Sequence, residues 1–136
     1  MLLSRLNDRQ IKSFLALATK MAMADGGISD QEAALLEYLA KTYGHVHPVF
    51  AEEIFGATNV GPFESRESRV ITIIGMLTVA YIDGNFHIDE SLVLTETISA
   101  FGFSEDEVER MVALAKGQVN ILNEFRLMVA MGETNS

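Results

Sequence analysis

Two short acidic stretches carry the spacing in this chain that could do chemistry. Asp25-Gly26-Gly27-Ile28-Ser29-Asp30-Gln31-Glu32 and Asp83-Gly84-Asn85-Phe86-His87-Ile88-Asp89-Glu90 both read Asp-Gly-x-apolar-x-x-x-Glu. Asp25 maps to Asp83, Gly26 to Gly84, Ile28 to Phe86 and Glu32 to Glu90, all at one offset of 58 residues. In each copy the Asp follows a helix-like apolar run, so it stands at the negative end of a helix dipole, where a carboxylate is disfavoured by roughly 0.3–1 kcal/mol. Making the same unfavourable placement twice calls for compensation, and two kinds are available. Each Asp can accept hydrogen bonds from the backbone of its own turn, with Glu32 and Glu90 serving as third-position capping residues. Alternatively, Asp25, Glu32, Asp83 and Glu90 converge on a divalent cation, since hard cations such as Ca²⁺ or Mg²⁺ take carboxylate oxygens; Mn²⁺ and Zn²⁺ are further options. The two readings can coexist.

The turns are not EF-hands. A loop starting at Asp83 needs Gly at 88 and Glu at 94, where the chain has Ile88 and Leu94; a loop starting at Asp25 meets Asp30 and Leu36 instead. His45-x-His47 with Glu52 and Glu53 is a second candidate, for zinc or another transition metal, against a solvated loop in which His47 caps a helix opening at Pro48. Catalysis finds little support. Ser13, Ser29 and Ser104 read as helix-surface or capping positions, and Gly26-Gly27 has neither a strand before it nor a Lys after it to make a phosphate loop. Glu52/Glu53 and Asp89/Glu90 are adjacent in sequence, so on a helix they point apart. Glu105-Asp106-Glu107-Glu109 reads as a solvated helix start. The chain is therefore expected to be non-enzymatic.

The elements that hold these turns are helical throughout. Asn7-Asp8-Arg9-Gln10 is a capping box, opening a helix with Ile11, Phe14, Leu15, Ala18, Met21 and Ala22 on one face and an end near Ala24. Ser29-x-x-Glu32 opens the next, with Leu35, Leu36, Leu39, Ala40 and Tyr43 inward and Gly44 at its close. Pro48 suits the first position of a short helix carrying Val49, Phe50, Ile54 and Phe55. Gly56 to Pro62 reads as a linker. The uncharged run Val70 to Ile82 is rich in β-branched residues, which favours a strand locally; its length and its place in the repeat predict a buried helix. A helix follows from about Ile88 to Phe101, closed by Gly102. Ser104-x-x-Glu107 is a third capping box, with Val108, Met111, Val112 and Ala115 on one face. Gly117 either breaks or weakens that helix before an amphipathic segment with Val119, Leu122, Phe125, Leu127 and Met131. Most of the seven Met fall at core spacing, as adaptable filler.

The bulk composition limits the partners. With 136 residues and 49% hydrophobic content, one domain with a sizeable core is expected. A net charge of −9 argues against nucleic acid and against adsorption to an anionic membrane, and leaves room for cations or basic proteins. No cysteine is present, so thiol chemistry and thiolate metal sites are absent; a reducing, cytoplasmic setting fits. Met1-Leu2-Leu3 is interrupted too soon by Arg5, Asp8 and Arg9 to be a signal core. The run Val70 to Ile82 is shorter than the roughly 20 residues a membrane span needs.

Ala22 to Glu32 resembles the first signature of the tellurite-resistance TerB-like family. Ala80 to Glu90 resembles its second, and Phe101-Gly102-Phe103-Ser104-Glu105-Asp106-Glu107-Val108 is similar to its closing pattern. The resemblance covers about residues 10 to 116. It implies an all-α, TerB-like helical bundle of about six to seven helices built from two helix–turn–helix repeats. These fall at about 8–44 and 66–116, with a linker at about 56–63 and a C-terminal helix at about 118–131. The module is also similar to the N-terminal domain of DnaJ-like membrane co-chaperones, but neither a J domain nor an anchor is found here. The resemblance further implies a role in tellurite or envelope stress, with a protein partner and acidic residues proposed to hold divalent metal. Residue by residue these are Asp25, Glu32, Asp83 and Glu90. The alternative is a metal-independent structural or oligomeric adaptor whose acidic face recruits a basic partner. The chain departs from the pattern at His87, where the first repeat has Ser29. A bundle of this size can also present an apolar face for dimerisation, which the sequence neither requires nor forbids.

Overall fold

The computed structural model describes residues 2–24, 27–43, 59–84, 86, 88 and 91–134. A 3-10 turn at Leu2–Arg5 precedes α1 (Asp8–Ala24), α2 (Asp30–Tyr43), α3 (Arg66–Tyr81), α4 (Leu92–Phe101) and α5 (Glu105–Thr134). Among the described residues there is no strand, and the protein is an all-α bundle. Among the described residues five α-helices are found, against six to seven expected for the whole chain. One reason is that Gly117 does not break α5, which runs unbroken for 30 residues through the boundary expected near 118. The helix expected after Pro48 lies outside the described residues.

The local signals that set the helix starts work as the sequence predicts. Asn7 Oδ1 accepts from the Gln10 N–H at 2.8 Å, and Gln10 Oε1 accepts from the Asn7 N–H at 2.9 Å, closing the first capping box. Ser104 and Glu107 do the same at the start of α5, at 3.2 and 2.9 Å. The Ser104 backbone N–H, helped by the Arg66 guanidinium that pairs with this carboxylate, holds Glu107 down at about 2. Gly102 ends α4 in the left-handed region, φ 77°, with its N–H returned to Ile98 and Ser99.

Helix α3 is the axis of the molecule and touches every other helix and the 3-10 turn. From Ile71 to Ala80 every side chain is buried, as befits a helix that is apolar all round. Burial on all sides is what overrides the strand preference of its Val, Ile and Thr. Phe14 of α1 fits against Gly75, where an added Cβ would lie 2.7 Å from the ring. The two helix backbones can approach closely because Gly75 has no side chain.

Several sequence expectations need correction. Phe63, at the end of the expected linker, is fully buried and meets Phe101 edge to face at 5.7 Å. Its carbonyl accepts from Arg69 Nε at 2.8 Å, so this segment is pinned to α3. Ala40 is exposed, not inward. Met21, Met76 and Met111 are core residues, but Met23, Met128 and Met131 are exposed. Phe125, Leu127 and Met131 face solvent because α3 ends before it can cover them; Val119 is buried and Leu122 half-buried. No described helix is long and apolar enough to cross a membrane.

Candidate functional site

The first turn is short. Helix α1 ends at Ala24 and Ser29 caps α2. Ser29 Oγ accepts from the Glu32 N–H at 3.1 Å, and Glu32 Oε1 accepts from the Ser29 N–H at 3.1 Å. One of the four candidate metal ligands is thus engaged with backbone as a capping-box carboxylate. Gly27, φ 135°, supplies the backbone turn that a side chain would strain.

The second turn is longer. Helix α3 ends at Tyr81, and Gly84, φ 82°, returns its N–H to the Tyr81 carbonyl at 3.0 Å. Ile88, the expected start of the next helix, has 3-10 conformation, and the α-helix itself begins later. It starts at Leu92, with the buried Ser91 as N-cap accepting from the Leu94 N–H at 3.2 Å. At the position equivalent to Ser29 the sequence offers His87, a poor N-cap; the first hydroxyl able to satisfy the exposed N–H groups comes four residues later. Glu90, expected to be equivalent to Glu32, lies outside the described residues.

The start of α2 lies beside the second turn. Gln31, in the first turn of α2, shares one open cleft of about 570 Å³ with Tyr81, Asp83, Gly84 and Phe86 of the second turn. The other wall is α5, through Lys116, Val119, Asn120, Asn123 and Arg126. These recur at helical spacing, so one face of α5 lines the cleft. Tyr81 and Phe86 meet edge to face at 5.1 Å and form an aromatic patch in it. Lys116 Nζ lies 5.1 Å from the Tyr81 ring centroid, a cation–π contact. Burial pushes the Tyr81 hydroxyl above its ordinary value.

Of the sequence candidates, Asp83 sits half-buried in the cleft, and Glu32 closes its own capping box one residue from Gln31. Asp25 and Glu90 lie outside the described residues, as do His45, His47, Glu52 and Glu53. Among the described residues no three His, Cys, Asp or Glu side chains gather as a metal-binding group. The wall that sequence reasoning missed is cationic and amide-rich. Lys116 and Arg126 bring donors and positive charge, Asn120 and Asn123 bring donors and acceptors, and all face the side of the cleft that holds Asp83. The available signal was the spacing 116, 120, 123, 126, which any solvated helix face can also show. Such an arrangement suits a carboxylate or a peptide backbone, held by charge-assisted hydrogen bonds over an aromatic floor. No protein-family model, curated protein or solved structure matches this chain.

Proposed function

We propose that this protein is a non-enzymatic, TerB-like interaction module that holds a carboxylate-bearing segment of a partner protein in the cleft between its two turns. One observation carries the reading: the second turn, Gln31 at the start of α2 and the donor-rich face of α5 line a single open cleft. The cationic wall reverses the polarity expected of the partner from the net charge of −9 alone, because recognition depends on the groups that touch. The resemblance to the TerB-like family supports a place in stress response, including tellurite resistance.

A divalent cation between the turns is the second reading. It is supported by Asp83 lining a cleft that also holds Gln31, the neighbour of Glu32. One titration series separates the two. With ¹⁵N-labelled protein, a glutamate-rich decapeptide should shift Tyr81, Asp83, Asn120 and Asn123, and Lys116→Ala/Arg126→Ala should weaken it by ~10-fold or more, as loss of two charge-assisted contacts implies. No shift at these residues would remove the first reading. Heat on adding Ca²⁺, Mg²⁺, Mn²⁺ or Zn²⁺, abolished by Asp83→Asn and untouched by Lys116→Ala, would establish the second in its place.

A further inference from the structure

Helix α5 has two flanks, and the cleft uses only one. Its first half buries Met111, Ala115 and Val119 against the core. Beyond Leu122, every residue from Asn123 to Met131 is exposed. On the flank away from the cleft, Leu114, Ile121, Phe125 and Met128 follow one another at spacings of seven, four and three residues, with Val129 and Met131 beside them. All six are between 45% and 69% exposed. We propose that this stripe is a self-association surface on which the same stripe of a second copy of the chain packs.

Three observations select a second copy. The spacing is that of a heptad seam, in which apolar residues alternate three and four apart and the facing helix supplies matching holes. The area also fits. Six large side chains at these exposures present on the order of 700 Å² per copy, so a pair buries roughly 1,400 Å², within the roughly 1,200–2,000 Å² of a standard interface. Charge points the same way. From Asn120 to Ala130 the only charged residues are Glu124 and Arg126, which cancel, in a chain of net charge −9. This is where two acidic copies can approach with least repulsion. Arg126 lines the cleft on the other flank, so from Ile121 to Met131 the stripe has no cationic border with which to hold an anionic lipid headgroup.

The inference does not depend on the cleft and is tested on the full chain. Sedimentation equilibrium over increasing concentration should approach twice the 15.0 kDa chain mass. Phe125→Glu and Ile121→Glu should each weaken association by ~10-fold or more, as central anchor residues do, with the circular-dichroism helix signal retained because Ala115 and Val119 are untouched. The chain has no native cysteine, so Met128→Cys should form a disulfide-linked dimer under mild oxidation, whereas Glu64→Cys, exposed elsewhere, should not. The proposal is overturned by a chain that stays at monomer mass at its highest soluble concentration. It is equally overturned by association that both Glu substitutions leave unchanged, or by a monomer that uses the stripe to pellet with phosphatidylcholine–phosphatidylglycerol vesicles.

Discussion

The two turns carry the same sequence pattern and are built differently. In the first, Ser29 and Glu32 close a reciprocal cap only five residues after α1 ends. In the second, α4 waits for Ser91, and the chain between α3 and α4 is correspondingly longer. Among the sequence differences between the copies, one falls at the capping position, Ser29 in the first and His87 in the second. A repeat conserved in spacing can thus diverge in structure when a single capping group is lost, since the unpaired N–H groups of a helix start are satisfied by the next competent side chain. The second turn gains an aromatic patch, Tyr81 on Phe86, and becomes one wall of the cleft. The first contributes Gln31 at its rim.

Substitutions at the caps sharpen this contrast. The largest effect is expected at Ser91, whose hydroxyl is buried; Ser91→Ala leaves the Leu94 N–H without a partner and should cost ~1–2 kcal/mol. Ser29→Ala, in a half-buried cap, should cost less, ~0.5–1 kcal/mol. Urea denaturation of the two variants side by side measures the gap, and equal losses would mean that the two caps are equivalent after all. Next, Gly84→Ala should cost about 1 kcal/mol, because its φ of 82° strains any residue with a Cβ even though no neighbour lies within 4 Å. The smallest effect belongs to Glu32→Gln. Gln10 performs the same reciprocal contact at the start of α1, so the change in stability should stay within ~0.3 kcal/mol. A larger loss would show that the negative charge itself matters at the first turn, against the helix dipole or to a bound cation.

Much of the fold could be read from local residues. The three capping boxes at Asn7, Ser29 and Ser104 are short-range hydrogen-bond patterns and form wherever the helix after them forms. The helical state of Val70–Ile82 also followed, from length and apolar character. What could not be read depends on distant partners. Gly117 costs a helix about 1 kcal/mol relative to Ala, yet α5 continues because Ala115 and Val119 on either side are both held in the core. Phe63 looked like linker because nothing local shows that Phe101 and Arg69 receive it. The stretch after Val119 is amphipathic in sequence, but periodicity reports a stripe and not whether anything lies opposite. The candidate site was half legible. Asp83 was a candidate from the repeat and lines the cleft, while the α5 wall emerged only when the chain was folded.

The close fit of Phe14 against Gly75 has a consequence for recognition. Helix α1 runs into the first turn and α3 into the second, and the ring occupies the one gap in α3 that can take it. Sliding either helix by a turn would set that ring against the side chains that share Gly75's face, Ile71 and Thr72 or Thr78 and Val79. The contact thus fixes how α1 and α3 sit against each other, and a guest in the proposed cleft would be spared part of the entropic penalty of assembling its own receptor.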